Sequence, residues 1–394
     1  MSVLTVEPPE NALANEPRSD VPVLIDEFWT AKQRAAHSLH EVSYRACFKP
    51  QLPKHFIERF SEPGERVLDP FMGRGTTLIE AALLGRVPVG VDANPLCACL
   101  ARPRLTPPEL AAVAERLAGI DFEAQSQCPA DLLVFYHPET LREIGALRNY
   151  LMQREASGEL DGVDDWIRMV ALNRLTGHSP GFFSVYTLPP NQAVSVASQR
   201  KINERLKQAP PRRIVSNLVL KKSKALLADV TPDDRARLAG VREEARLFIG
   251  SATDLSGIET GSIRLIVTSP PFLDTVDYAA DNWLRSWFAG VRLEDGQLSL
   301  FRCLDEWTEV MTTAMAECRR VLQPGGHMAF EVGEVRGGRV RLEENVLHAG
   351  ETAGLRPVQV MINSQRFTKT SNCWGVSNGS KGTNTNRIVV FQKT

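Results

Sequence analysis

Short, uninterrupted apolar runs alternate with stretches of helical period in two parts of the chain, and the alternation lapses between them. Val67-Leu68-Asp69 predicts a strand entering a loop from Pro70 to Gly75. A helix from Thr76 to Leu84 follows, closed by Gly85 at its C′ position, and Val87 to Asp92 predicts a second buried strand. Together these make one βαβ unit with an acid at the tip of its second strand. Next, Thr106 and Glu109 have capping-box spacing ahead of Leu110, Val113 and Leu117, which predicts a helix start. Leu141, Ile144, Leu147 and Leu151 keep helical spacing, whereas Trp166 to Pro211 reads as neither strand nor simple helix.

Alternation resumes near Arg246. Leu247-Phe248-Ile249 and Leu265-Ile266-Val267 predict buried parallel strands. Trp307, Met311, Ala314, Cys318 and Val321 mark one face of a long helix beginning near Asp305 and ended by Pro324-Gly325-Gly326. His327 to Val332, Val358 to Ile362 and Arg387 to Phe391 predict three more strands. The expected architecture is α/β, a doubly wound sheet with a mostly helical and irregular insertion. Its divisions are a flexible N-terminal tail over 1–35, a first core half over 36–102, the insertion over 103–244 and a second core half over 245–394.

Composition changes this picture little. Forty-six basic residues face 47 acidic ones, which argues against a uniformly basic coat but leaves local patches open. Seven cysteines include no CxxC pair, so neither a zinc site nor a disulfide framework is expected. No apolar run reaches the ~20 residues of a bilayer span, and the N-terminus has no secretory pattern. The expected home is the prokaryotic cytoplasm.

The loop Asp69-Pro70-Phe71-Met72-Gly73-Arg74-Gly75-Thr76-Thr77 has glycines where a backbone must pass close to a ligand. A dinucleotide fingerprint needs a third glycine where Leu78 stands, and a P-loop needs Gly-Lys-Ser/Thr; both are absent. Asp92 lies 19 residues beyond Gly73, where a carboxylate at a strand tip accepts both hydroxyls of a ribose. The ligand this suits is a nucleoside without a pyrophosphate; the plainer alternative is a turn at Asp92-Ala93-Asn94-Pro95.

Thr268-Ser269-Pro270-Pro271-Phe272 leaves a buried strand directly. Two prolines make a rigid, extended exit at the carboxyl edge of the sheet. An exocyclic amino nitrogen is a poor nucleophile because its lone pair is delocalised into the ring. Fixed acceptors that bind its hydrogens favour a more tetrahedral nitrogen. Ser269 Oγ and the Pro270 carbonyl are the candidate acceptors, and Phe272 would stack on a base flipped out of the duplex. The competing reading is a strand-ending turn with a core phenylalanine.

The two motifs together resemble those of the DNA amino-methyltransferases, which modify adenine N6 or cytosine N4; the resemblance spans roughly residues 38–100 and 246–394. It implies a Rossmann-like class I methyltransferase core and S-adenosylmethionine as cofactor. Phe71, Gly73, Gly75 and Thr76 would form the cofactor loop, with Asp69 near the methionine moiety and Asp92 on the ribose. Lys49, in Phe48-Lys49-Pro50 before a helix from Lys54 to Phe60, belongs to a segment resembling the family's cover over the methionine end. Asp254 would meet the adenine, though a Ser/Thr/Asp cluster after a strand also serves as a cap. Ser269 preceded by Thr268 resembles the cytosine-N4 enzymes; adenine-N6 enzymes more often carry Asp or Asn there. The absence of any Pro-Cys pair excludes cytosine-C5 chemistry. An RNA or protein amino-methyltransferase and a non-catalytic DNA-binding subunit are the rival classes.

Between Gln199 and Lys224, Arg200, Lys201, Arg205, Lys207, Arg212, Arg213, Lys221, Lys222 and Lys224 face one acid, Glu204. Such clustering suits phosphate contacts. With His178 and Ser179 on the preceding loop, Arg200, Lys201, Arg205, Arg212 and Arg213 are the candidate contacts to double-stranded DNA. The alternative is a solvated helix face. The expected setting is a nucleoid-associated modification enzyme beside a cognate restriction endonuclease or defence system, with no membrane and no metal.

Overall fold

The computed structural model describes residues 21–26, 28, 36–45, 47–187, 193–271, 273, 277–291, 301–335, 340–364 and 385–394. Its strands are β1 Val23–Asp26, β2 Arg66–Asp69, β3 Val87–Asp92, β4 Arg246–Ile249, β5 Ile263–Thr268, β6 Leu322–Val335, β7 Val340–Arg341, β8 Arg356–Ser364 and β9 Thr385–Gln392. The helices α1 Gln51–Phe60, α2 Thr76–Leu83 and α3 Pro95–Leu105 accompany the first strands. The interval before β4 holds α4 Leu110–Ala118, α5 Pro138–Ala156, α6 Gly162–Leu172, α7 Val196–Leu206, α8 Val215–Leu226 and α9 Pro232–Val241. The last three are α10 Tyr278–Ala289, α11 Leu304–Val321 and α12 Leu342–Thr352.

The strands form one sheet in the order β1-β8-β9-β6-β5-β2-β3-β4, with β7 paired to β6. From β4 to β6 every pairing is parallel, and β9 runs antiparallel between β6 and β8. Successive residues alternate between two apolar layers, as a period of two demands. Val67, Leu265 and Ala329 pack with α1, while Leu68, Ile266 and Met328 pack with α11 and α12. A sheet covered on both faces needs strands that are apolar throughout, which is why these runs were unbroken. Strand order reverses between β2, which leads outward to β3, and β5, which leads to β6; ligands of open α/β sheets bind at such a point.

Three expectations need correction. Val23–Asp26 is not tail: it adds a parallel edge strand to β8, in register from Val23 opposite Val360 to Asp26 opposite Asn363. The capping box at Thr106 does not form. Thr106 closes α3, and Glu109 precedes α4 without a side-chain cap while its carboxylate pairs with Arg235 at 3.2 Å. Finally, the stretch from Trp166 to Pro211 contains most of α6 and all of α7. The polar stripe of α6, Asp164, Asp165 and Arg168, lies mostly ahead of Trp166, so the stretch that begins there holds only the apolar, buried end of the helix.

Candidate active site

The loop after β2 turns tightly. Gly73 and Gly75 have φ of 49° and 78°, a backbone region that other L-residues rarely adopt. Gly73 N–H donates to Asp92 Oδ2 at 2.9 Å, and Asn94 N–H to Asp92 Oδ1 at 2.8 Å. Each carboxylate oxygen therefore accepts one backbone N–H, and the Cys97 side chain bonds the same carboxylate. Burial raises the Asp92 pKa against the pull of these bonds. Gly75 does different work from that expected: it is absent from the cavity lining, and a Cβ on it would stand 2.8 Å from Ala101 Cβ, so it lets α3 pack against the loop.

Two side chains stitch this loop to the neighbouring strand. Thr268 Oγ1, at the end of β5, donates to Asp69 Oδ1 at 2.6 Å, and Thr77 Oγ1 donates to the Val267 carbonyl at 3.1 Å. Burial pushes the Asp69 carboxyl up to about 7, and the bonds from Thr268 and Phe71 N–H oppose it. The loop and the β5 exit open onto one cavity. Asp69 to Arg74, Thr76, Asp92 to Asn94, Gly250 to Thr253, Ser269 and Pro271 all line it.

The lining tests the ligand chemistry. Arg74 is its one basic side chain among the described residues, and its guanidinium is spent on the His40 and Val42 carbonyls and on Thr76 Oγ1. No cation is left for a pyrophosphate. Two carboxylates, Asp69 and Asp92, face apolar walls at Phe48, Phe71 and Ala252. Such a site fits S-adenosylmethionine: a sulfonium and an ammonium beside carboxylates, ribose hydroxyls at Asp92, and a purine against apolar surface.

Lys49 adjoins the lining residue Phe48 but is not itself in the wall, and neither is Pro270, which is buried behind Ser269 and Pro271. Asp254 is exposed and caps Ser256 N–H at 3.1 Å; its predecessors Gly250 to Thr253 reach the cavity and it does not. The capping alternative is the one seen. Phe272 lies outside the described residues.

Three further groups escaped the motif reading. Glu331, buried on β6 beside β5, is hydrogen-bonded by the Ser269 side chain and by Asn386 Nδ2 at 2.5 Å; burial pushes its carboxyl up to about 7. In the sequence its one signal is a lone acid within the apolar run His327 to Val332. Tyr44 and Tyr278 stack at 6.0 Å between ring centroids and line the cavity together. Tyr44 precedes Phe48 in the cover segment, and Tyr278 opens α10.

The insertion reaches this site through α10. Ala193 N–H donates to the Asp281 carbonyl, Asn173 Oδ1 accepts from Ser43 N–H at 2.6 Å, and buried Arg285 donates to the Ser43 carbonyl at 3.2 Å. The 177–187 loop is compact: Gly177 bridges Tyr186, Arg174 lies 4.1 Å over the Phe182 ring, and His178 and Ser179 are exposed. Arg200, Lys201, Arg205 and Lys207 are exposed on or just after α7. Arg212 departs from expectation, because Glu139 and Glu143 both bind it at 2.6 Å. Arg213 is half-buried, its backbone carbonyl and N–H both bonded to Thr140 Oγ1. Among the described residues no His/Cys/Asp/Glu cluster suits a metal, and no helix is long and apolar enough to cross a membrane.

Residues 8–101, spanning the cover segment and the glycine loop, match the model of a family described as DNA methylase. Over this segment the chain is similar to the DNA amino-methyltransferases. The type II methyltransferase M.MjaII of Methanocaldococcus jannaschii is 34% identical over 74 residues, 19% of this chain and 14% of that protein. The type II methyltransferase M.MvaI of Kocuria varians is 29% identical over 111 residues, 27% of this chain and 23% of that protein. The alignments thus cover less than a quarter of either relative's length. Among solved structures, a TehB-like SAM-dependent methyltransferase from Corynebacterium glutamicum aligns over 87% of each chain at 11% identity, with a TM-score of 0.33.

Proposed function

We propose that this chain is an amino-methyltransferase that transfers a methyl group from S-adenosylmethionine to the exocyclic amino group of a base flipped out of double-stranded DNA, with cytosine N4 the favoured atom. One observation carries the reading: the Gly73 loop and the Ser269–Pro271 turn wall a single cavity at adjacent parallel strands. When bound, the cofactor's sulfonium supplies the methyl group. Ser269 Oγ, which lines the cavity, accepts an amino hydrogen and fixes the nitrogen for in-line attack, while the Pro270 carbonyl expected as a second acceptor lies behind the wall. Ser269 donates its own proton toward the Glu331 carboxylate, so the proton released by the nitrogen passes through Ser269 Oγ to Glu331. Phe272 stacks on the everted base. The preference for cytosine rests on Ser269, preceded by Thr268, in the position where adenine enzymes more often carry an acid or amide.

The interval 103–244 is the target-recognition region in this reading. Arg200, Lys201 and Arg205 meet phosphates, and His178 and Ser179 face base edges. A role in restriction–modification or phage defence, in a prokaryotic cytoplasm, completes the proposal.

Incubation of the full chain with labelled S-adenosylmethionine and duplex DNA, followed by nucleoside analysis, tests it. N4-methylcytosine is the expected product. N6-methyladenine overturns the base assignment, and label in RNA alone, or in no nucleoside, overturns the function.

A further inference from the structure

Pro270 and Pro271 have no N–H groups, so the turn they form offers hydrogen-bonding partners only its carbonyls as handles. One of the two is held. Trp307, fully buried in the second turn of α11, donates its indole N–H to the Pro271 carbonyl at 2.9 Å. The same helix and its approach supply Phe301, Val310 and Met311 to the cavity wall, and Met311 lies one turn beyond Trp307 on the same face. An indole is a donor with no acceptor role, and its ring cannot turn within a packed core. At the other end of the turn, the Ser269 hydroxyl is held by Glu331. Between the two anchors stands Pro270, buried behind the cavity wall.

We propose that Trp307 is a positioning residue for methyl transfer: by occupying the Pro271 carbonyl from α11, it braces the Ser269–Pro271 turn so that the cavity-lining Ser269 hydroxyl stays aimed at the incoming amino group. This rests on the catalytic reading above. Any buried tryptophan needs a partner for its N–H, and a purely structural role satisfies that need equally well. The difference lies in which kinetic constant moves. A loosened turn misplaces an acceptor that acts only as the nitrogen becomes tetrahedral, so kcat falls while cofactor binding holds.

The test compares Trp307→Phe, which keeps an aromatic ring but loses the donor, with Trp307→His, which restores a ring N–H. Cys318→Ala serves as control, because Cys318 is buried on the same helix and is absent from both cavity and turn. Methylation of duplex DNA by the full chain is measured beside thermal melting. For Trp307→Phe the expected result is a roughly tenfold or larger fall in kcat, with KM for S-adenosylmethionine within about twofold of the parent. Trp307→His is expected to recover part of that loss. Cys318→Ala is expected to lower Tm while leaving kcat within about twofold. Unchanged kcat in Trp307→Phe, or a loss no greater than that of Cys318→Ala at equal Tm, overturns the proposal. A readout independent of turnover separates this failure from that of the function. In ¹⁵N-tryptophan-labelled protein, the indole resonance identified by its loss in Trp307→Phe should exchange slowly with solvent; fast exchange refutes the anchor even if the parent chain methylates no DNA.

Discussion

Two buried carboxyls, on the strands β2 and β6 that flank β5, lie near neutrality, and they bear on different steps. Glu331, raised to about 7 by burial, accepts a proton only as the carboxylate, the form populated above its pKa. In the proposed reaction kcat therefore rises as pH climbs through about 7. Glu331→Gln keeps an amide for Asn386 and Ser269 to bond but removes the base, so that limb flattens and kcat drops at least about tenfold. A pH–kcat profile for the variant that keeps the parent's limb would exclude Glu331 as the acceptor. Asp69, raised to about 7 chiefly by burial, would face the cationic end of the cofactor in the proposed reading. Its ionised form attracts that charge, so S-adenosylmethionine affinity is expected to rise through about pH 7. In Asp69→Asn, calorimetry should show weaker binding with that pH dependence gone. A dependence that persists in the variant must come from another group.

At the scale of elements, the parallel core was open to reading because strands covered on both faces must be apolar throughout. The runs at Val67, Val87 and Leu265 are strands β2, β3 and β5. Helix α2 closes where Gly85 permitted it, at a φ of 74°. In α6 the polar residues Asp164 and Asp165 precede Trp166, so a stretch begun at Trp166 keeps only the apolar end and its period is lost. The cavity motifs were legible because glycine and proline restrict backbone in ways the sequence states outright. Arg212 and Glu331 depend on partners from distant elements, Arg212 on α5 and Glu331 on the β5 exit and β9, whereas Asp254 serves its own local turn, the alternative the cluster also allowed. The basic run divides accordingly. Replacing exposed Arg200, Lys201 and Arg205 with alanine is expected to weaken DNA binding and make the salt dependence shallower by about two to three in log–log slope. Arg212→Ala is expected to leave that slope unchanged and to cost about 1–2 kcal/mol of stability by stripping a partner from buried Glu143. Titrations at several ionic strengths and denaturant melts distinguish the two. An Arg212 variant with a reduced slope would return that residue to the DNA interface.

At the scale of the whole molecule, the site is assembled from two stretches of chain separated by the entire helical insertion. β2 pairs with β5 at Val67–Leu265 and Leu68–Ile266, and Thr268 reaches across to Asp69. A fragment ending after β4, at residue 250, retains the glycine loop and Asp92 but lacks the wall formed by Ser269 and Pro271. It is expected to bind S-adenosylmethionine at least about tenfold more weakly than the full chain, whichever base is methylated. Calorimetry at matched concentration checks this, and equal affinity would mean that the second strand contributes nothing to the cofactor site.

That pairing also governs the order in which the protein can be born on a ribosome. A nascent chain that has emerged only through β4 presents the β2 flank of its sheet with unpaired amides and carbonyls and no partner yet made. Until synthesis passes Thr268 and clears the exit tunnel, that open flank offers a hydrogen-bonding template to neighbouring nascent copies, which makes this interval of translation the one in which a chaperone's shelter matters most.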